Sequence, residues 1–268
     1  MSKLLIDADG IVYRAGFAME KTKYLVQYDH GTDCVKEFDN AKDAKEYATQ
    51  VSGSIWSRKE TKDEEEALML TSIIVRDIRD RYPSHDPVLW LTPSVGNFRD
   101  KVATRAKYKG NRDAALRPTH HKAIRSYLVE TYGAQEATGQ EADDALGIGM
   151  TADPDSVIVS FDKDLLQVPG LHYNWVAKEE QKIGGRQGQM RFFEQVLSGD
   201  ATDNVPGIPG IGSVKAKKLL EGVQTKKEAW LRIIRAYEDA GLGQPAAIET
   251  AQLVYVRRKE GEIWQPPT

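Results

Sequence analysis

Leu4-Leu5-Ile6-Asp7-Ala8-Asp9-Gly10 opens the chain with three apolar residues, then an acid, then a second acid before a glycine. A short continuous apolar run that stops at turn residues is the pattern of a strand buried on both faces. Two carboxylates leaving the end of such a strand, two residues apart, can project to one side. The same character marks four runs in all, at residues 3–6, 87–91, 156–160 and 171–175, each rich in Leu, Ile, Val or aromatics. Longer amphipathic stretches lie between them, including 40–51 and 61–82. The second of these is predicted to start at Thr61, with Glu64 completing a capping box. This alternation predicts an α/β fold, a mainly parallel central sheet flanked by helices. In such sheets the loops at the carboxyl ends of strands gather around one crevice, and Asp7, Thr92 and Asp162 follow three of the strands.

Composition narrows the chemistry. The 268 residues carry 37 Lys+Arg against 40 Asp+Glu, a net charge of −3, with 40% apolar and 29% charged residues. Cys34 is the only cysteine, which excludes a disulfide scaffold and a thiolate zinc site, so a metal would be held by oxygen. No apolar run reaches the roughly 18 residues that span a bilayer, and Asp7 and Asp9 stand where a signal peptide needs apolar residues, so a cytoplasmic protein without a membrane partner is expected. Residues 24–29 and 34–38 predict a hairpin around His30-Gly31-Thr32-Asp33, apart from the parallel sheet. Beyond Gln189 the text turns mostly helical, which places one domain at 1–189 and a smaller helical region at 190–268.

Three further acidic groups join the opening one: Glu141-Ala142-Asp143-Asp144 at a predicted helix start, Asp162-Lys163-Asp164 after an apolar strand, and Asp200-Ala201-Thr202-Asp203 after Gly199. Any one of them also reads as a solvated first turn or a helix cap. Leaving Asp9 aside, the clusters supply eight carboxylates: Asp7, Glu141, Asp143, Asp144, Asp162, Asp164, Asp200 and Asp203. Eight like charges meeting in one crevice would take up protons or bind hard cations. Oxygen donors without thiolates favour Mg²⁺ or Mn²⁺.

Positive charge is concentrated elsewhere. Residues 99–125 hold nine Lys/Arg, among them Arg99, Arg105, Lys109 and Arg112, against two Asp, the composition of a polyanion-binding segment. Within it, Tyr108-Lys109-Gly110-Asn111-Arg112 sets an aromatic suited to stacking on a base beside two cations suited to phosphate. Residues 206–212, Pro-Gly-Ile-Pro-Gly-Ile-Gly, precede Ser213 and a basic stretch with Lys215, Lys217 and Lys218. A tight glycine turn running into a lysine-rich helix points to non-sequence-reading contact with a nucleic-acid backbone.

Together and in this order, LLIDADG, YKGNR, EADD, SFDKD, GDATDN and PGIPGIG resemble the flap endonuclease and 5′-to-3′ exonuclease family, most closely its bacteriophage exonuclease branch, over nearly the whole chain from Leu4. The resemblance implies a PIN-like sheet with a helix-three-turn-helix in the C-terminal helical region. It implies two divalent ions, Mg²⁺ or Mn²⁺, at the eight carboxylates, and hydrolysis of DNA phosphodiesters to 5′-phosphate products. Lys109 and Arg112 become catalytic phosphate-facing cations. Tyr108, Gly210, Gly212, Lys215 and Lys217 become DNA contacts, and backbone groups of Val205, Ile208 and Ile211 a K⁺ site. The expected partner is DNA with a 5′ end, nick or flap, an RNA–DNA hybrid being left open, and the expected state is a monomer.

One departure stands out. The family places a further Asp after the strand that corresponds to residues 88–91, but this chain reads Leu91-Thr92-Pro93-Ser94, so its first metal site is expected to lack a carboxylate. Two other readings stay open. Asp7-Ala8-Asp9-Gly10 fits the nucleophile motif of haloacid-dehalogenase-like phosphatases, and the missing acid allows a non-catalytic protein that binds branched DNA.

Overall fold

A computed structural model describes residues 2–28, 34–112 and 116–267. The predicted turn His30-Gly31-Thr32-Asp33 lies outside the described residues. In chain order the strands are β1 (Lys3–Asp7), β2 (Glu20–Gln27), β3 (Val35–Phe38), β4 (Ser54–Thr61), β5 (Asp86–Leu91), β6 (Gln135–Glu136), β7 (Val157–Val159), β8 (Gly170–Asn174), β9 (Glu179–Ile183), β10 (Gly199–Asp200) and β11 (Val205–Pro206). The helices are α1 (Ala8–Ala18), α2 (Ala41–Val51), α3 (Glu64–Arg81), α4 (Arg99–Val102), α5 (His121–Tyr132), α6 (Ala142–Ala152), α7 (Gly185–Ser198), α8 (Ser213–Leu219), α9 (Lys226–Asp239) and α10 (Gly243–Val254). None of the described helices is long and apolar enough to cross a membrane.

The chain divides into two compact units. One comprises Met1–Gly10, Val75–Leu116 and Leu128–Thr268, the other Ile11–Ile74 and Arg117–Tyr127. The first is built on a six-stranded sheet ordered β6-β5-β1-β7-β8-β9, in which every pairing is parallel except that of β9 with β8. All four predicted strands are present in it. β1 lies between β5 and β7, and its Leu4, Leu5 and Ile6 are at most 1% exposed, as a doubly covered central strand requires. Its register sets Asp7 opposite Trp90 at the carboxyl end of β5. Ala142, Ala145 and Leu146 bury one side of α6.

α7, α9 and α10 form the helical part of the same unit around Phe192, Phe193, Val196, Trp230, Ile233 and Tyr237. The Tyr237 hydroxyl closes this core by donating to the Val196 carbonyl at 2.7 Å. Position 189, where composition changes, falls inside α7, and the residues on both sides of it belong to this unit. Helical character starts earlier than the composition shift because Gly184, in extended conformation, caps α7.

In the second unit β2 pairs antiparallel with β3, as the hairpin reading expects, and also with β4, giving the order β3-β2-β4. α2 covers this sheet with Ala44 and Ala48 against Val26, and Asn40 caps it by accepting the Asp43 amide at 2.9 Å. Thr61 is a correction to the sequence reading. It ends β4, paired with Glu20, and α3 begins only at Glu64. Every residue of β4 is exposed, so the strand carries no buried alternation to mark it.

Candidate active site

The parallel sheet delivers three acidic loops to one end. Asp7 terminates β1 and is almost wholly buried; its Oδ2 accepts the Ser160 hydroxyl at 2.8 Å and its Oδ1 the Gly10 amide at 3.3 Å. Gly10 lets the chain pass close by: a Cβ would lie 3.0 Å from the Phe161 ring and 3.3 Å from Asp7 Oδ2. Ser160, just past β7, also accepts the Asp162 amide at 2.9 Å, and Asp162 Oδ1 accepts the Asp164 amide at 2.8 Å. A chain of hydrogen bonds thus runs from the end of β1 through the end of β7 to Asp164, which opens a 3-10 turn.

A second clamp joins two loops that are distant in sequence. The Lys109 amide donates to the Asp203 carbonyl at 2.8 Å, Asn111 Nδ2 to the Ala201 carbonyl at 2.8 Å, and Asn204 Nδ2 to the Lys107 carbonyl at 2.9 Å. The left-handed backbone of Lys109 and Asn204 makes both turns tight. The YKGNR and GDATDN motifs are thereby zipped together. Lys109 Nζ bonds Glu141 Oε1 and lies 3.6 Å from Asp203 Oδ2, while Arg112 bonds Asp203 Oδ1. Burial works against the charge on Lys109, but Glu141 and Asp203 outweigh it and hold its pKa above the ordinary lysine value.

The acids feel one another. Burial and the neighbouring Asp9 push Asp7 up to about 7. Burial, with Asp162 and Asp200 alongside, pushes Asp164 up to about 7. Asp143 is held well above the carboxylate range by burial and by Asp162, Asp7 and Glu141. Asp162 is exposed as a residue, yet its carboxyl is desolvated on the crevice side and raised further by Asp203 and Asp200. The structure therefore links Asp7, Glu141, Asp143, Asp162, Asp164, Asp200 and Asp203 in one continuous network of electrostatic neighbours, with Asp162 at its centre. No three acidic, His or Cys side chains among the described residues form a ready-made metal cage. The donor set nonetheless suits hard divalent cations: it is all oxygen, and positive charge would relieve the repulsion that, with burial, raises the pKa values of Asp7, Asp143, Asp162 and Asp164.

Several expectations need correction. Asp144 is not a crevice ligand. It is 0% exposed, and its two oxygens are taken by Arg99 Nη1 at 2.6 Å, Arg99 Nη2 at 3.0 Å, the Arg257 amide at 3.0 Å and the Glu141 amide at 3.0 Å. This ion pair draws the Asp144 pKa down in spite of burial. Tyr108 offers no face for base stacking. It is buried in the helical core, and its hydroxyl proton is shared between Asp203 Oδ2 at 2.8 Å and Glu141 Oε2 at 3.1 Å. The basic segment is not one surface either. Arg99 also donates to the Leu253 and Tyr255 carbonyls, and Arg105 to the Pro206 carbonyl at 2.6 Å, so both serve the interior.

Beyond the β10–β11 bridge, Gly210, Gly212, Lys215 and Lys217 are exposed, with Lys215 Nζ donating to the Gly210 carbonyl at 2.8 Å. Val205 pairs with Asp200 in the β10–β11 bridge, and the Ile208 carbonyl accepts the Ile211 amide at 3.1 Å. Sequence reasoning gave no role to Asn97, whose Nδ2 donates to Glu141 Oε1 at 2.8 Å and whose Oδ1 accepts the Arg99 amide at 3.0 Å. Nor did it assign one to Ser160, although that residue opens the SFDKD motif.

No family model matches the chain. Curated proteins do. Flap endonuclease Xni of Shewanella sp. (strain W3-18-1) is 28% identical over 172 residues, 58% of this chain and 64% of that protein. Over that span the chain is similar to a flap endonuclease. DNA polymerase I of Rhizobium leguminosarum is 39% identical over 100 residues, 32% of this chain and 10% of the polymerase. The match thus spans less than two-thirds of the length of either relative. Among solved structures, the T5 5′-exonuclease with bound divalent zinc ions superposes with a TM-score of 0.59 at 15% identity, covering 95% of this chain and 89% of that one. The chain has the fold of that exonuclease, as the PIN-like expectation requires.

Proposed function

We propose that this chain is a divalent-metal-dependent 5′-to-3′ exonuclease and structure-specific flap endonuclease that hydrolyses DNA phosphodiesters to 5′-phosphate products. The observation that carries the reading is the acidic crevice at the strand ends, bordered by Lys109 and Arg112. Two ions, Mg²⁺ or Mn²⁺, held by Asp7, Glu141, Asp143, Asp162, Asp164, Asp200 and Asp203 would supply Lewis-acid chemistry to the phosphate and to water. The protein's own groups do the rest. Ser160 orients Asp7 and the Asp162 loop, Asn97 and Tyr108 orient Glu141, and Lys109 with Arg112 turns from Glu141 and Asp203 toward the charge that develops on the phosphate. Exposed amides around Gly210 and Gly212, with Lys215 and Lys217, grip phosphates without reading bases. A K⁺ ion at the Val205, Ile208 and Ile211 backbone belongs to the same proposal.

The test is to incubate 5′-labelled blunt, nicked and flapped duplexes with the protein in Mg²⁺, Mn²⁺ or chelator. Metal-dependent release of short 5′-phosphorylated products is expected, with turnover abolished in Asp162→Asn and in Asp164→Asn while DNA remains bound. Turnover retained in both variants, or cleavage in chelator, removes these acids from the chemistry. A phosphorylated Asp7 trapped from a small phosphate monoester would instead identify a phosphatase.

A further inference from the structure

Asp9 is the one acid of the opening motif that the nuclease reading leaves without a task. β1 and β5 are neighbouring parallel strands with Asp7 opposite Trp90, and Asp9 follows in the first turn of α1 while Thr92 follows the end of β5. The Thr92 amide donates to Asp9 Oδ2 at 2.8 Å, while the Thr92 hydroxyl accepts the Ala142 amide at 3.0 Å. The carboxyl end of β5, which bears no acid of its own, therefore has a carboxylate resting on it, delivered by the first turn of α1. That carboxylate lies beside Asp7 on one strand end and beside the start of α6, the helix that carries Asp143, on the other.

We propose that Asp9 replaces the carboxylate missing at position 92 and acts as an oxygen donor to a divalent ion in the crevice, directly or through a water. The inference rests on the metal-dependent reading above. Thr92 then has two supporting tasks: its amide aims the Asp9 carboxylate, and its hydroxyl fixes the amino end of α6. The competing possibility is a brace, in which Asp9 merely ties α1 to β5. Asparagine separates the two, because its side-chain oxygen accepts the same Thr92 amide but carries no charge. Aspartate at position 92 can in turn accept the Ala142 amide while restoring a charge at the end of β5.

The experiment is calorimetric titration of Mn²⁺ into wild-type protein and the Asp9→Asn, Asp9→Asn/Thr92→Asp and Asp162→Asn variants, with melting temperature in chelator as a check on folding. Asp9→Asn is expected to weaken Mn²⁺ binding about tenfold or more without lowering the melting temperature, and the double variant to recover most of the loss. Asp9→Asn that binds Mn²⁺ as tightly as wild type overturns the proposal. So does a loss that Thr92→Asp fails to recover, since a carboxylate restored at the end of β5 would rebind the ion. A weakened Asp162→Asn beside an unchanged Asp9→Asn would discard Asp9 and keep the nuclease reading, whereas wild-type protein that takes up no Mn²⁺ would end both.

Discussion

Asp144 accepts two of the guanidinium hydrogen bonds of Arg99 with neither partner more than 3% exposed, whereas Asp143, one residue earlier, is pushed up by burial and by the acids around it. The two respond oppositely to loss of charge. Asp144→Asn leaves a buried guanidinium without its counter-charge, a change that costs about 3–5 kcal/mol. Asp143→Asn removes a source of repulsion and is expected to leave the metal-free protein as stable as before or more so. Urea unfolding in chelator at neutral pH measures both. If Asp144→Asn unfolds at the wild-type midpoint, Asp144 is not the structural anchor described above. Because the folded-state pKa of Asp144 is depressed, its contribution is complete above the unfolded value and is lost as pH falls through the folded one.

Among the elements, the short β10–β11 bridge has the largest consequence for its size. It pairs Gly199 with Pro206 and Asp200 with Val205, setting the loop that presents Asp200 and Asp203. A Cβ at Gly207 would lie 2.3 Å from the Gly199 nitrogen and 2.3 Å from the Ser198 carbonyl carbon, backbone atoms that cannot swing aside. Gly207→Ala is therefore expected to cost about 1–3 kcal/mol and to lower kcat more than it raises KM on nicked DNA. Equal kcat in variant and wild type would show that the bridge does not position the acids. The glycine was legible in sequence as part of a turn; its packing partners eight and nine residues back were not. The same divide holds across the molecule. Residues 3–6, 87–91, 156–160 and 171–175 could be read as strands because burial on both faces forces continuous apolar text. β4 could not, since all eight of its residues face solvent. Charge in sequence located Arg99, Arg105 and Asp144 but not their direction, and their partners outside their own motifs lie 45 to 156 positions away. Tyr108 was read as a stacking surface because its neighbours are polar, while the core that buries it is assembled from residues 192–254.

For the whole molecule, a net charge of only −3 conceals a local concentration of acid whose cost depends on pH and on cations. Asp7 and Asp164 stand at about 7 in the folded protein against an ordinary 3.8. Asp143 and Asp162 are shifted in the same direction. Between the unfolded and folded values the native state binds more protons than the unfolded chain, so these acids make stability fall as pH rises from about 4 to about 7. Two histidines oppose them. His121 and His172 are depressed by burial, so they favour the folded state increasingly as pH rises toward their unfolded value. A melting curve in chelator alone mixes the two slopes, but the difference between melting with Mg²⁺ and with chelator isolates the acids, since a cation competes with protons for the same oxygens. That difference is expected to be small at pH 5 and to widen through pH 8. At roughly a hundredfold excess of Mg²⁺ over Kd it should reach about 2.7 kcal/mol, or ~5–10 °C for a chain of this size. A gap that stays constant from pH 5 to 8 would mean that the ion does not bind at the acids whose protons it is supposed to displace.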